Sequence, residues 1–247
     1  MLWGKRAKGK RNQKLGEKIV FGKELPFVAA EAYKRLRTNI LFALPDERRC
    51  RVIGITSASS GEGKSTTSVN LAYVLAEAGE RVLLIEADMR IPAVCARLGL
   101  QQTPGLSNVL AGQTNLNETI QASNLQENLR VLSAGDVPPN PSELLGLKAM
   151  ETLIKILAEN FDFIVMDLPP VGEVTDALVA SKLTDGMIVV VRQNFALRRA
   201  LTATMRQLKY VDAKVLGFVM TRSDIQAKGK YKYKRYGAAY GEQSKQP

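Results

Sequence analysis

Three short runs of branched apolar residues recur along the chain, and helical patterns lie between them. The runs are of strand length and end at a polar residue: Arg51–Thr56, Arg81–Glu86 and Phe161–Asp167. Continuous apolar runs of this length are typical of strands that are buried on both faces. The intervening segments, Ser65–Glu77 and Ala149–Glu159, have helical periodicity. Strands that alternate with helices predict an α/β fold with a mostly parallel central sheet flanked by helices on both faces.

The length of the chain, 247 residues, suits a single domain of this kind with additional segments at its ends. We predict the domain over residues 24–225, after a basic N-terminal segment at 1–23 and before a flexible, tyrosine-rich basic tail at 226–247. Three further strands are predicted at residues 129–133, 186–192 and 214–220.

The net charge of +11 is concentrated at the two ends of the chain. Residues 1–23 carry +7 and residues 226–247 carry +5, so the domain between them is close to neutral, at about −1. Basic ends on a neutral body suit an anionic surface, either a membrane or nucleic acid, and a solubilising N-terminal segment is equally open. The basic start lacks the apolar stretch of a signal peptide, and no segment is apolar enough to cross a membrane. We therefore expect a cytoplasmic protein.

The cysteine and histidine content limits the chemistry that is available. The chain has two cysteines, Cys50 and Cys95, without a CxxC pairing, and it has no histidine. These features exclude thiol redox chemistry of the CxxC type, the common zinc sites and histidine-based acid–base catalysis. We expect the cysteines to be structural.

A glycine-rich turn follows the first predicted strand and ends in the Gly-Lys-Ser of a P-loop, with Ala58 where the first glycine usually stands. Gly61 and Gly63 let the backbone approach phosphate oxygens, and the N-terminus of the next helix presents unpaired N–H groups. Lys64 can reach the β- and γ-phosphates, and Ser65 can ligate Mg²⁺. The turn predicts a P-loop NTPase that binds ATP and Mg²⁺. The predicted nucleotide-binding residues are Ser59, Ser60, Gly61, Glu62, Gly63, Lys64, Ser65 and Thr66.

Acidic residues at strand ends complete the expected magnesium site. Asp167 closes the third strand beside the P-loop, as a Walker B acid does, and we expect it to hold the metal through water. Alternation along an extended chain would point both Glu86 and Asp88 toward the phosphates. Helix capping is the alternative role for Asp88. The predicted metal site consists of Ser65, Asp88 and Asp167.

Together these motifs resemble those of the bacterial tyrosine kinases of capsule and exopolysaccharide synthesis. The family's second acidic motif, Asp-x-Asp-x-Arg, corresponds to Glu-Ala-Asp-Met-Arg at 86–90, and its Asp-x-Pro-Pro motif corresponds to 167–170. Residues 31–37 and 134–145 resemble two further signatures of the family. The resemblance implies transfer of the γ-phosphoryl group of ATP to tyrosine hydroxyls of this chain and of other proteins.

The resemblance also implies a catalytic set of Lys64, Glu86, Asp88, Arg90 and Asp167, with Arg90 near the reacting groups. In the family, the first acid of the second motif is proposed to help accept the tyrosine proton. Here it is Glu86, one methylene longer than the usual Asp. Because catalysis depends on ångström-level placement, we expect reduced activity with intact nucleotide binding. On this reasoning, Glu86→Asp should change the autophosphorylation rate.

A charged motif near the start of the domain has a spacing of three, which places Glu31, Lys34 and Arg37 along one helix face. In the family this motif, with Arg in the middle, joins subunits into a ring. A solvated charged face is the alternative interpretation. Because Lys cannot reproduce the bidentate fork of Arg, we expect a weaker ring-like homo-oligomer.

Four of the seven tyrosines lie within residues 231–240, in a basic segment without apolar periodicity. Such a segment cannot form a core, so we predict phosphoacceptors that are modified in trans; stacking on RNA is the alternative. Four phosphotyrosines would add roughly −6 to −8. The tail would thus change sign from +5. The predicted phosphoacceptors are Tyr231, Tyr233, Tyr236 and Tyr240.

The resemblance further implies a transmembrane polysaccharide co-polymerase as an activator in trans, which would hold this chain at the inner face of the membrane. We expect no nucleic-acid partner. Two other functions stay open: a positioning or partitioning ATPase of the same superfamily and a non-catalytic, ATP-sensing regulator. The first typically carries a signature lysine where this chain has residues 58–60, and it lacks a terminal tyrosine cluster. The unusual Glu86 keeps the second open.

Overall fold

The computed structural model describes residues 20–44 and 50–223. In this part of the chain, seven strands form one sheet in the order β3-β4-β2-β5-β1-β6-β7. Neighbouring strands run parallel except for β3, which pairs antiparallel with β4 at one edge. The strands are β1 (Arg51–Ser57), β2 (Val82–Glu86), β3 (Ile120–Ala122), β4 (Leu129–Leu132), β5 (Phe163–Asp167), β6 (Gly186–Arg192) and β7 (Val215–Thr221).

Helices cover both faces of the sheet, as the alternation of patterns predicts. One apolar layer packs beneath α1, α2 and α3, and the other packs beneath α6, α7, α8 and α9. The helices are α1 (Phe27–Ala43), α2 (Lys64–Glu77), α3 (Val94–Leu98), α4 (Leu106–Leu110), α5 (Leu116–Thr119), α6 (Pro141–Leu145), α7 (Lys148–Ala158), α8 (Asp176–Ala180) and α9 (Arg198–Tyr210).

The central strands form where the sequence supplies apolar side chains for both layers. In β2, Leu83 and Ile85 enter the layer beneath α7 to α9, whereas Val82 and Leu84 enter the opposite one. This alternation explains why a continuous apolar run, and not a half-polar one, forms the strand. Along α7, the buried residues Met150, Leu153, Ile154 and Leu157 recur at helical spacing and face the sheet.

The register of the sheet brings polar strand ends together. Asp167 pairs in register with Glu86 on one side and with Ile55 on the other. The backbone N–H of Ala87 donates to the carbonyl of Asp167 at 2.9 Å. The carboxyl ends of β1, β2 and β5 therefore meet at one edge, where ligands of such folds bind.

The ends of the chain lie almost entirely outside the described residues. At the boundary, Phe21 packs against the layer beneath α1 and α2, and the N–H of Gly22 donates to Asn70 of α2 at 3.1 Å. The division at 23 and 226 stays a prediction. In the described ranges, no helix combines the length and apolarity that a membrane crossing requires.

Candidate active site

The P-loop connects β1 to α2, and the ends of two other strands hold its backbone. Gly63 precedes α2 with φ 99°, and a Cβ atom there would lie 3.2 Å from Thr221, so glycine is required for both conformation and space. The hydroxyl of Thr221 donates to the carbonyl of Glu62 at 2.7 Å. The guanidinium of Arg192 donates to the carbonyl of Gly61 at 3.2 Å. The ends of β6 and β7 thus fix the turn.

Glu62 is a structural member of this turn. Its buried carboxylate accepts the N–H of Ser59 at 2.9 Å and the N–H of Arg192 at 3.2 Å. Burial raises the pKa of Glu62, and these two N–H groups oppose the rise. The side chain of Glu62 therefore braces the loop, while its backbone stays part of the predicted phosphate cradle.

Glu173, in the loop after β5, makes a further contact with the P-loop. Its carboxylate accepts both the N–H of Ser60, at 2.6 Å, and the Ser60 hydroxyl, at 2.8 Å. Sequence reasoning missed Glu173 because 113 residues separate the two partners and no motif connects them.

Lys64, Asp88 and Asp167 come together behind the loop. Lys64 is 8% exposed, and its ammonium lies 3.9 Å from Oδ2 of Asp88. Asp167 is 1% exposed, and its Oδ1 accepts the hydroxyl of Ser68 at 2.9 Å. The structure thus joins a buried cation to two buried acids, and it adds Ser68, which the sequence did not identify.

Burial dominates the electrostatics of both acids. It raises the pKa of Asp167 to about 6, against the charge of Lys64 and the hydroxyls of Ser65 and Ser68, which lower it. Burial also raises the pKa of Asp88, opposed by the N–H of Ile91 and by Lys64. Ionised carboxylates held away from water favour the approach of a cation.

The donor set fits Mg²⁺. Oδ2 of Asp167 is buried and has no hydrogen-bond partner among residues 20–44 and 50–223. The other predicted ligands, the carboxylate of Asp88 and the hydroxyl of Ser65, are also hard oxygen donors. The described residues contain no group of three or more His, Cys, Asp or Glu suited to a metal. Two carboxylates suffice for Mg²⁺, which usually keeps water and phosphate ligands.

Glu86 does not join this group, which corrects the expectation that it faces the phosphates beside Asp88. Its fully buried carboxylate accepts the backbone N–H groups of Ala93 and Val94, and that of Ala134 at 3.4 Å. Strand β2 ends at Glu86, so the alternation of side chains does not continue to Asp88. Glu86 thus ties the start of α3 to the loop after β4.

Arg90 has a partner that sequence reasoning missed. Its guanidinium forms a bidentate ion pair with Asp176 at the start of α8, with distances of 2.9 Å and 3.0 Å. The side chain of Asp176 is 0% exposed and that of Arg90 is 39% exposed. The fork geometry fixes the direction of the guanidinium. The pair therefore orients Arg90 at the carboxyl edge of the sheet.

The predicted oligomerisation motif lies on α1. Lys34 forms an ion pair with Glu31 at 3.1 Å. Arg37 instead donates to the carbonyl of Val74 in α2 at 2.8 Å, so it ties two helices of the same chain together. The four predicted phosphoacceptor tyrosines lie outside the described residues.

Residues 50–216 match a family model described as an AAA domain. The chain is 35% identical over 223 residues to the tyrosine-protein kinase YwqD of Bacillus subtilis. The aligned region covers 90% of this chain and 93% of YwqD. This chain belongs to the bacterial tyrosine-protein kinases. The kinase also resembles the kinase domain of the Escherichia coli tyrosine kinase ETK, with a TM-score of 0.74 and 31% identity over 79% of this chain and 78% of that one.

The kinase shares its fold with a more distant ATPase as well. The septum site-determining protein MinD of Pyrococcus horikoshii, complexed with Mg-ADP, matches with a TM-score of 0.60 and 27% identity over 73% of this chain and 76% of that one. The predicted P-loop NTPase fold and the predicted tyrosine-kinase class are confirmed. P-loop ATPases generally bind a nucleotide together with Mg²⁺.

Proposed function

We propose that this kinase phosphorylates its own C-terminal tyrosine cluster with ATP, and that it thereby regulates the synthesis and chain length of a capsular or exopolysaccharide. The observation that carries the catalytic part is Oδ2 of Asp167, which has no hydrogen-bond partner among the described residues and lies with Lys64 and Asp88 next to a P-loop. A buried carboxylate oxygen without a hydrogen bond is costly in a folded protein unless a ligand compensates for it.

Each residue of the site has a role that its surroundings support. Lys64 and the N–H groups of the P-loop would bind the phosphates of ATP, and Ser65, Asp88 and Asp167 would hold Mg²⁺. Bound there, the metal would neutralise charge that develops on the transferred phosphoryl group. Arg90, oriented by Asp176, would stabilise the same charge from the other side of the loop after β2.

The tail is proposed as the acceptor because of where the described domain ends. Thr221 contacts the P-loop, and Tyr231 and Tyr240 follow it by 10 and 19 residues. At about 3.3 Å per residue, these tyrosines can reach at most about 33 Å and 63 Å from Thr221. Such a reach would allow a tyrosine to enter the site of a neighbouring copy, and we propose transfer in trans within a ring-like homo-oligomer. The ion-paired Glu31 and Lys34 on α1 would contribute to that assembly.

A transmembrane co-polymerase is proposed as the activator in trans, supported by the resemblance of the motifs at 31–37, 86–90 and 134–145 to those of the capsule kinases. Docking of its cytoplasmic segment would place the kinase at the inner face of the cell membrane and promote ATP binding. Other proteins with accessible tyrosines would be further substrates.

The test is phosphosite mapping on the purified kinase after incubation with ATP and Mg²⁺, with and without the activator's cytoplasmic segment. We expect phosphate on the four tail tyrosines of the parent and none on Lys64→Met, because that variant lacks the cation that binds the phosphates. Hydrolysis of ATP without tail phosphate would instead identify a positioning ATPase. Binding of ATP without either reaction would identify a sensor, and each of these two results would refute the proposal.

A further inference from the structure

The outer face of α9 carries an unusual density of positive charge. Four basic residues lie in this helix of 13 residues, and the helix contains no acid. At about 100° per residue, all four fall within an arc of about 100°. They are exposed, whereas Leu201, Met205 and Leu208 on the other side pack toward the sheet. The basic residues are Arg198, Arg199, Arg206 and Lys209; we call their face the α9 basic face.

The basic side chains of the α9 basic face have no acidic partner in the part of the chain that the structure describes. None of the four side chains forms an ion pair within the described ranges. The nearest acid in sequence is Asp212, which follows the end of the helix. The domain over 24–225 is close to neutral as a whole, at about −1, and four of its positive charges are gathered on this face. Such a gathering creates a local field that attracts an anionic partner.

Exposed apolar groups lie at both ends of α9. Tyr210, at the end of α9, is 92% exposed, and Leu197, immediately before its start, is 57% exposed. A shallow apolar groove of about 290 Å³ opens beside Arg206. Exposed apolar and aromatic side chains next to cations suit the boundary between lipid headgroups and acyl chains. The groove is lined by Leu178, Arg206, Gln207, Tyr210 and Val211.

We propose that the α9 basic face binds the anionic lipid headgroups of a membrane directly, independently of any activator. The phosphates of lipids match the charge, and the interface accepts Tyr210 and Leu197, which a surface made only of phosphates would leave exposed. In this parallel sheet, α9 runs antiparallel to the strands. When α9 rests on the membrane, the strands therefore run parallel to the membrane plane. The P-loop edge of the sheet then faces other copies on the same surface.

Vesicle flotation of the full chain tests this contact. We compare vesicles of phosphatidylcholine with vesicles in which one third of the lipid is phosphatidylglycerol. Each basic residue near an anionic membrane contributes about fivefold to affinity. Arg199→Gln/Arg206→Gln should therefore bind the anionic vesicles about 25-fold more weakly than the parent. Its melting temperature and its activity in solution should be unchanged, because both side chains are exposed and neither forms an ion pair in the described ranges.

The matched control is Lys23→Gln/Arg97→Gln, which removes the same charge from exposed positions on the opposite side of the sheet. We expect the control to keep most of the parent's affinity. If both double variants lose the same affinity for the anionic vesicles, binding depends on net charge or on the basic ends, and the proposal is overturned. The proposal is also overturned if the parent binds the neutral and the anionic vesicles equally well. A nucleic-acid duplex is included as a competitor. If the α9 variant loses duplex binding and keeps vesicle binding, the face recognises nucleic acid instead.

Discussion

Shortening Glu86 to Asp tests whether this carboxylate serves the fold or the chemistry. The carboxylate of Glu86 lies fully buried between the start of α3 and the loop after β4, where it accepts three backbone N–H groups. Removal of one methylene withdraws the carboxylate by about 1.5 Å. At that distance the N–H groups of Ala93 and Val94 lose their acceptor, and a charge stays buried without compensation.

The energetic cost follows from these contacts. A hydrogen bond to a charged group contributes roughly 1.5–3 kcal/mol, and removing the compensation of a buried charge costs about 3–5 kcal/mol. We expect Glu86→Asp to lower the free energy of unfolding by about 3 kcal/mol, after some relaxation of the loops. For a domain of this size, such a loss lowers the melting temperature by about 6–12 °C.

Thermal denaturation followed by circular dichroism measures this shift, with Glu86→Gln as the matched variant. Gln keeps the reach and one acceptor oxygen but loses the charge, so it should melt closer to the parent than Asp does. If Glu86 instead accepts the tyrosine proton, Gln would abolish phosphorylation and Asp would retain it. A Glu86→Asp variant that melts with the parent and phosphorylates faster would refute the positioning role.

Three further predictions concern the acids of the site. Because burial raises the pKa of Asp167 to about 6, the stability that protonated Asp167 contributes to the metal-free parent is lost as pH rises from about 4 through 6. By calorimetry, Asp167→Asn should therefore melt higher than the parent at pH 8, while losing Mg²⁺-dependent phosphorylation. Ser68→Ala removes a hydroxyl that lowers the pKa of Asp167, so the acid limb of the rate–pH profile should move to higher pH. Asp176→Asn breaks the ion pair that orients Arg90, and kcat should fall at least about tenfold with little change in the KM for ATP, in steady-state kinetics.

The parts of the fold that could be predicted are those that local pattern determines. Strands β1, β2 and β5 are buried along their whole length, so their apolar runs are continuous and readily recognised. Strand β3 was not predicted, because its three residues carry no apolar run and pair at the edge of the sheet. The third predicted run begins two residues before β5, since Asp162 instead accepts the side chain and N–H of Arg81.

In the site, too, the residues within a local motif could be predicted, and their partners from distant parts of the chain could not. The P-loop residues and Asp167 follow from a motif whose spacing encodes its geometry. The partners that fix this geometry, Glu173 and Asp176, are separated from Ser60 and Arg90 by 113 and 86 residues, and only the fold brings them together. The expectation for the direction of Glu86 was wrong because side chains alternate only within an extended strand, and β2 ends at Glu86.

The hydroxyl of Thr221 on the carbonyl of Glu62 joins the last residue of β7 to the turn that cradles the phosphates. Under the proposed function, the acceptor segment would begin beside the bound nucleotide, and the contour length of the residues between Thr221 and Tyr231 would limit the reach of Tyr231. Deleting residues from this segment shortens that contour by about 3.3 Å each and leaves the catalytic groups in place. The number of these residues, and not the chemistry of the site, would then decide whether a tyrosine of the tail reaches its own site or that of the next copy.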